Sequence, residues 1–433
     1  MGVEQNLHIK VVQKTSYHLN TDAKLLKIQV HSIMTKDSEP LSVTLFREYL
    51  RIKTVHPNPD YAQAIAFLDK YAQDLGLECR LIETCDKDHT VVLMTWKGKD
   101  STLPSILLNS HTDVVPVYEE HWKYDAFAAV KEENGDIYAR GTQDMKCVGI
   151  QYLEAIRKLK NDGYHFDRDI HLSFVPDEEI GGFEGMLLFL QSQEFKALNV
   201  GLALDEGLAS PDDDYVAYYG ERSPWWARVK CEGNPGHGSR FIENTAAEKL
   251  RKVINSFLDY RESQKLLMES TCQPLGDVTT VNLTRLEGGI ANNIVPAELS
   301  ATFDIRIPPT VDLQEFEQKL QGWCRDAGEG VSIEFLQKNI DQTVTATDST
   351  NPWWVTFSSA IKECGKNLKV EVFSGATDSR FLRKAGYNAI GFSPMRNTPV
   401  LLHDHNEFLN EAVFLEGIDT YCSVIKALAN MKP

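Results

Sequence analysis

The sequence predicts a mostly parallel α/β sheet with helices on both faces, interrupted by a smaller α+β domain. Three observations carry that reading. Short apolar runs ending in acids or histidines alternate with amphipathic stretches, the order that lays parallel strands side by side under helices. After Gly207 the texture changes to β-branched and aromatic runs around one helical stretch, and from about residue 341 the first texture returns. The chain's 433 residues leave room for two or three ordinary domains.

In chain order, residues 1–33 read as an extension outside the fold. They carry several lysines, no arginine and no unbroken apolar run, which argues against a secretory signal or a transit peptide. Gly2 is followed by Asn6 where an acylation motif needs Ser or Thr, so myristoylation is not expected. Residues 42–52 and 62–76 space their apolar side chains three and four apart and read as helices, the second closed by Gly76. Residues 105–117, 169–179 and 200–207 read as buried strands, with a helix at 149–160 between the first two. Strands within 215–232 and 278–306 flank a helix at 246–267, a β-α-β order that predicts a smaller domain inserted into the outer one. The outer domain's return segment holds a helical NPWWVTFSSAIKECG, strand-like VEVFSGATDSRF and AIGFSP, and a C-terminal helix over 411–428.

Composition excludes several function classes. Forty-five basic against 62 acidic residues give a net charge of −17, a field that repels nucleic acid and anionic membrane surfaces. No apolar run reaches the roughly 18–20 residues of a membrane helix. Eight scattered cysteines without a C-x-x-C pair suit free thiols in a reducing compartment, so a cytoplasmic protein is expected.

The strand ends carry the chemistry. In open α/β sheets ligands bind beyond the carboxyl ends of the strands, and here those ends read His111-Thr112-Asp113, Asp177-Glu178-Glu179 and Asp205-Glu206. Asp144 sits between a glycine-containing loop and a helix, where it suits either a helix cap or a carboxylate shared by two cations. In His111-x-Asp113 the acid is placed to orient a metal-ligating imidazole, or is a simple cap. Glu178 and Glu179 repel each other if both are desolvated, and a divalent cation removes that penalty. One of the pair then ligates metal while its neighbour acts as a base. Asp205 or Glu206 adds a carboxylate, and His403 or His405 a second imidazole. Two histidines and three carboxylates suit a pair of zinc ions better than calcium, for which no D-x-D-x-D-G loop is present.

Eight segments then match a known family: SHTDVVPV, YARGTQDMKC, FVPDEEIGG, ALDEG, ERSPWW, PGHGSRF, LEGGIANNIVPAELSATFDIR and TPVLLHDHNE. Over about residues 38–430 the chain resembles the co-catalytic zinc carboxypeptidase and aminoacylase family. ERSPWW and NPWW direct the resemblance to its aminoacylases. The resemblance implies that His111, Asp144 and Glu206 hold one zinc, and Asp144, Glu179 and His403 a second. It makes Glu178 the general base, Asp113 the residue that orients His111, and residues 218–336 an inserted lid and dimer interface between catalytic segments 34–217 and 337–433. His237 would reach the partner's active site and stabilise the oxyanion, while Asn293 and Arg306 would bind the substrate carboxylate or oxyanion. Thr377 and Arg380 are expected along the same cleft, because GATDSR follows a strand. The implied activity is hydrolysis of N-acyl-L-amino acids, chiefly N-acetylated neutral ones, by a homodimer. A dipeptidase or carboxypeptidase with the same two-zinc chemistry is the alternative, and a catalytically silent scaffold a more distant one.

Overall fold

The computed structural model describes residues 39–432, so the expected extension at 1–33 lies outside the described residues. Two buried strands, Ser105–His111 and Ile170–Val175, run side by side and parallel at the heart of an eight-stranded sheet. Val200–Asp205 joins Ser105–His111 on its other side, also parallel. Across the whole sheet the strands run in the order Glu78–Glu83, Thr90–Trp96, Ile170–Val175, Ser105–His111, Val200–Asp205, Asn388–Phe392, Tyr215–Glu221 and Leu368–Phe373. Four of the seven pairings are parallel; the antiparallel ones join the two strands at one edge and Asn388–Phe392 to Tyr215–Glu221.

Alternation along these strands divides the core. Ile106 and Leu108 face one apolar layer with the helices Lys146–Asn161, Pro352–Glu363 and Glu411–Ala429. Leu107 faces the other, with Met186, Phe189 and Leu382. A sheet covered on both faces must be apolar on both, and every residue of Ser105–His111 is buried. The expected α/β architecture is therefore present.

A separate four-stranded antiparallel sheet, ordered Thr280–Gly288, Glu298–Ile307, Ser223–Glu232 and Val331–Lys338, packs against two helices rather than the single one expected. Ala246–Thr271 starts at a capping box between Thr245 and Glu248, and Leu313–Ala327 is capped by Asp312. Phe257 stacks on Phe303 at 4.0 Å between helix and sheet. Because Tyr215–Glu221 stays in the large sheet, the chain crosses between the sheets at Arg222, a few residues beyond position 218. Alternation orients this sheet too. Ala301, Phe303 and Ile305 enter its core, which leaves Asp304 and Arg306 on the opposite face, beside Trp226 of the neighbouring strand. No helix among the described residues is long and apolar enough to cross a membrane, and all eight cysteines are free thiols.

Candidate metal centre and active-site cleft

Because Ile170–Val175, Ser105–His111 and Val200–Asp205 are parallel neighbours, their carboxyl ends open at one place. His111 ends its strand. Glu178 and Glu179 follow theirs in a single 3-10 turn that Asp177 enters in the left-handed region, φ 64°. The two glutamates therefore sit on a tight turn rather than an extended strand end. Gly182 closes that turn at φ +66°, where a Cβ would lie 2.6 Å from Asp378 Oδ1. Asp144 arrives from the loop before Lys146–Asn161, and His403, also left-handed at φ 60°, from the turn before Phe408–Asn410.

These side chains meet. Asp144 Oδ1 lies 2.9 Å from His111 Nε2, and its Oδ2 lies 3.1 Å from His403 Nε2. One carboxylate thus faces both imidazoles, one with each oxygen. Glu179 Oε2 is 3.0 Å from the same His403 nitrogen, and Glu206 Oε2 is 3.7 Å from that of His111. Asp205 is committed elsewhere, accepting from Asn109 and Ser379. His405 packs instead against the ring of His121 at 4.8 Å.

Burial makes the cluster electrostatically expensive. It raises the Glu178 and Glu206 carboxyls well above their ordinary range, assisted by the neighbouring Glu206 and Asp144 carboxylates respectively. Glu179 is pushed up to about 7 by burial and Asp144. His403 is raised to about 10 by its bonds to Asp144 and Glu179. Burial opposes ionisation of Asp144 as well, but the bonds to His111 and His403 outweigh it and hold that carboxyl low. Glu179 Oε1 is buried and lacks a hydrogen-bond partner among the described residues. Four acids around two imidazoles, one with an unpartnered oxygen, fit divalent cations. The Glu178 side chain makes no hydrogen bond or ion pair among the described residues, although its carboxylate lies within 4.8 Å of the His111 and Glu206 ligand atoms.

Asp113 supports the group from behind. His111 Nδ1 lies 3.0 Å from the Asp113 carbonyl oxygen and 3.5 Å from its carboxylate. That carboxylate accepts the amide hydrogens of Glu178 and Glu179, and from His56 Nε2 at 2.9 Å. The bonds to His111 and His56 hold Asp113 at about 2 against the opposing effect of burial. Reading the sequence misses His56, which lies in a proline-rich loop 57 residues before its partner with no local pattern to announce it.

A cleft of about 930 Å³ joins this cluster to the exposed face of the four-stranded sheet, with Trp226, Asn282 and Arg306 opposite Glu178. Arg306 is held by Asp304 at 2.8 Å, and Arg380 also lines the cleft while donating to the Gly181 carbonyl. Thr377 is buried and gives its hydroxyl and amide hydrogens to Glu221, so it stands behind the lining rather than in it. His237 and Asn293 sit together on the other sheet's two-stranded appendage, outside this chain's own cleft lining. The His237 ring is exposed and bonded only to Ser239 among the described residues.

The model of peptidase family M20/M25/M40 matches residues 107–427. Aminoacylase-1 of Sus scrofa is 57% identical over 396 residues, 92% of this chain and 97% of that protein. The fold is similar to that of an M20 family metallo-carboxypeptidase from Sulfolobus solfataricus, with TM-score 0.68 and 18% identity over 90% of this chain and 100% of that one. It is also similar to a dinuclear metal-binding M20 peptidase of Bacillus subtilis, with TM-score 0.63 and 15% identity over 89% and 97% of the two chains. A metal-fitting centre at the mouth of the sheet and a match over most of the length agree. The chain is a hydrolase that belongs to peptidase family M20/M25/M40.

Proposed function

We propose that His111, Asp144 and Glu206 hold one zinc ion and Asp144, Glu179 and His403 a second, with Glu178 as general base. The reaction is hydrolysis of an N-acyl-L-amino acid to a carboxylate and the free amino acid, the activity named by relatives 57% identical to this chain. The observation that carries the reading is Asp144, whose two oxygens face two different imidazoles at 2.9 and 3.1 Å. Imidazole and carboxylate donors together favour zinc over the all-oxygen sites of calcium and magnesium.

Bound by these residues, zinc would supply an acidified water and polarise an amide carbonyl. The protein's own residues do the rest. Glu178, in the cleft and unpaired, takes the proton from the attacking water and returns it to the leaving amine. Its carboxyl, raised by burial, is a better base than an exposed glutamate. Arg306 and Arg380 offer positive charge to the carboxylate of the substrate's amino-acid half. Asp113 fixes the turn that presents both glutamates. His237 serves the neighbouring subunit of a cytoplasmic homodimer by holding the developing oxyanion, which is why it stands outside its own cleft; Asn293 sits beside it for the same purpose.

The test is Glu178→Gln. It should abolish hydrolysis of N-acetyl-methionine while the protein retains the wild-type zinc content. Loss of metal along with activity would make Glu178 a ligand and refute the assignment.

A further inference from the structure

Next to the turn that carries the catalytic glutamates, a second set of metal-ligating side chains converges that no step above uses. His89 Nε2 lies 2.9 Å from Asp177 Oδ2 and 3.1 Å from Glu184 Oε2. All three ligand atoms are within 4.8 Å of one another. The other ring nitrogen of His89, Nδ1, is 2.7 Å from Asp86 Oδ1. That oxygen also accepts the amide hydrogens of Asp88 and His89, so it is fixed in place. A carboxylate held this way accepts the Nδ1 hydrogen, so the ring, once it gives up its other proton, carries the lone pair on Nε2.

Nε2 faces two carboxylate oxygens, and in the deprotonated ring three ligand atoms converge on one point. Asp177 sharpens the point. Its side chain is 4% exposed. Its Oδ1 accepts from the Tyr61 hydroxyl at 2.6 Å. Its Oδ2 accepts no hydrogen bond among the described residues, although His89 is beside it. A buried carboxylate oxygen aimed at a ring nitrogen, but out of line for a hydrogen bond, is placed as two ligands of one cation are placed.

We propose that His89, Asp177 and Glu184 form a separate zinc-type site, with Asp86 as the residue that orients the imidazole. One nitrogen and two oxygens are three of zinc's four tetrahedral positions, and the half-exposed surroundings leave the fourth to water. Calcium would require six to eight oxygens, which this group does not supply. Metal here fastens residues 84–89 and Glu184 to Asp177, the residue that begins the turn bearing Glu178 and Glu179. The site stands independently of the proposed catalytic centre.

The experiment strips the full-length protein with a chelator, reloads it in buffered zinc and measures metal per chain by plasma mass spectrometry. Wild type should hold one zinc more than either His89→Ala or Glu184→Gln. The Glu184 side chain is 58% exposed, so the second variant keeps the test valid if the first misfolds. His111→Ala should lose cleft metal yet still hold this ion, which separates a failure here from a failure of the catalytic reading. Equal zinc content in wild type and both variants would overturn the proposal and leave His89 as a protonated ion-pair partner.

Discussion

Replacing Glu407 by alanine should release the loop that presents Asp144, and the structure sets the scale. Glu407 is fully buried, and its carboxylate accepts from Arg140 Nη1 at 2.8 Å, from the amides of Gly141 and Gln143 at 3.1 and 2.6 Å, and from the Asp144 amide at 3.3 Å. One side chain therefore ties residues 140–144 to the segment that bears His403, four residues earlier in the chain. Removing one partner of a buried ion pair costs about 3–5 kcal/mol, because the other charge stays behind without compensation. At about 1.4 kcal/mol per decade, the folded-to-unfolded ratio should fall by a factor of roughly 10²–10⁴. Urea unfolding of the metal-free protein measures that loss, and metal analysis measures the accompanying loss of zinc. A double variant, Arg140→Met with Glu407→Leu, should regain much of the stability without regaining the metal. An alanine variant within about 1 kcal/mol of wild type and with full zinc content would refute the argument.

Two further outcomes follow from the same geometry. Asp113→Ala removes the acceptor shared by His56 and the Glu178 and Glu179 amides, so zinc affinity measured by competition with a chelator should fall about 10–100-fold; unchanged affinity and rate would defeat the positioning role. His171 is buried against Thr95, and burial lowers its imidazole to about 4. The unfolded chain takes up that proton first as pH falls from about 6.5, so stability is lost towards pH 4 by about 3 kcal/mol. His171→Leu should lack that part of the acid-induced loss in a urea series over this range, and identical pH dependence in both proteins would exclude the effect.

Much of the centre is legible because local sequence and topology agree there. Strands buried on both faces must be continuous apolar runs, so the acids and histidines that terminate them stand out, and parallel neighbours bring those ends together. The choice of Glu206 over Asp205 is not local. It depends on Asn109 and Ser379, one on an adjacent strand and one far along the chain, which claim the aspartate. His56 is invisible for the same reason. The strands Glu78–Glu83 and Thr90–Trp96 fall outside the strand–helix alternation, because they join the sheet antiparallel at its edge. In the smaller sheet, the helix Leu313–Ala327 carries its own signature, with Phe316, Leu320, Cys324 and Ala327 three and four apart behind the Asp312 cap, which the expected β-α-β order overlooks. Thr377 looked like a cleft residue from its position after a strand, but Glu221 turns it inward.

The bridging role of Asp144 is tested most directly by anomalous diffraction at the zinc absorption edge from crystals of the zinc-loaded protein. The account predicts two peaks in the cleft, one in reach of His111 and Glu206, the other in reach of Glu179 and His403, with an Asp144 oxygen directed at each. A single peak in the cleft, or peaks that Asp144 does not touch, would contradict it.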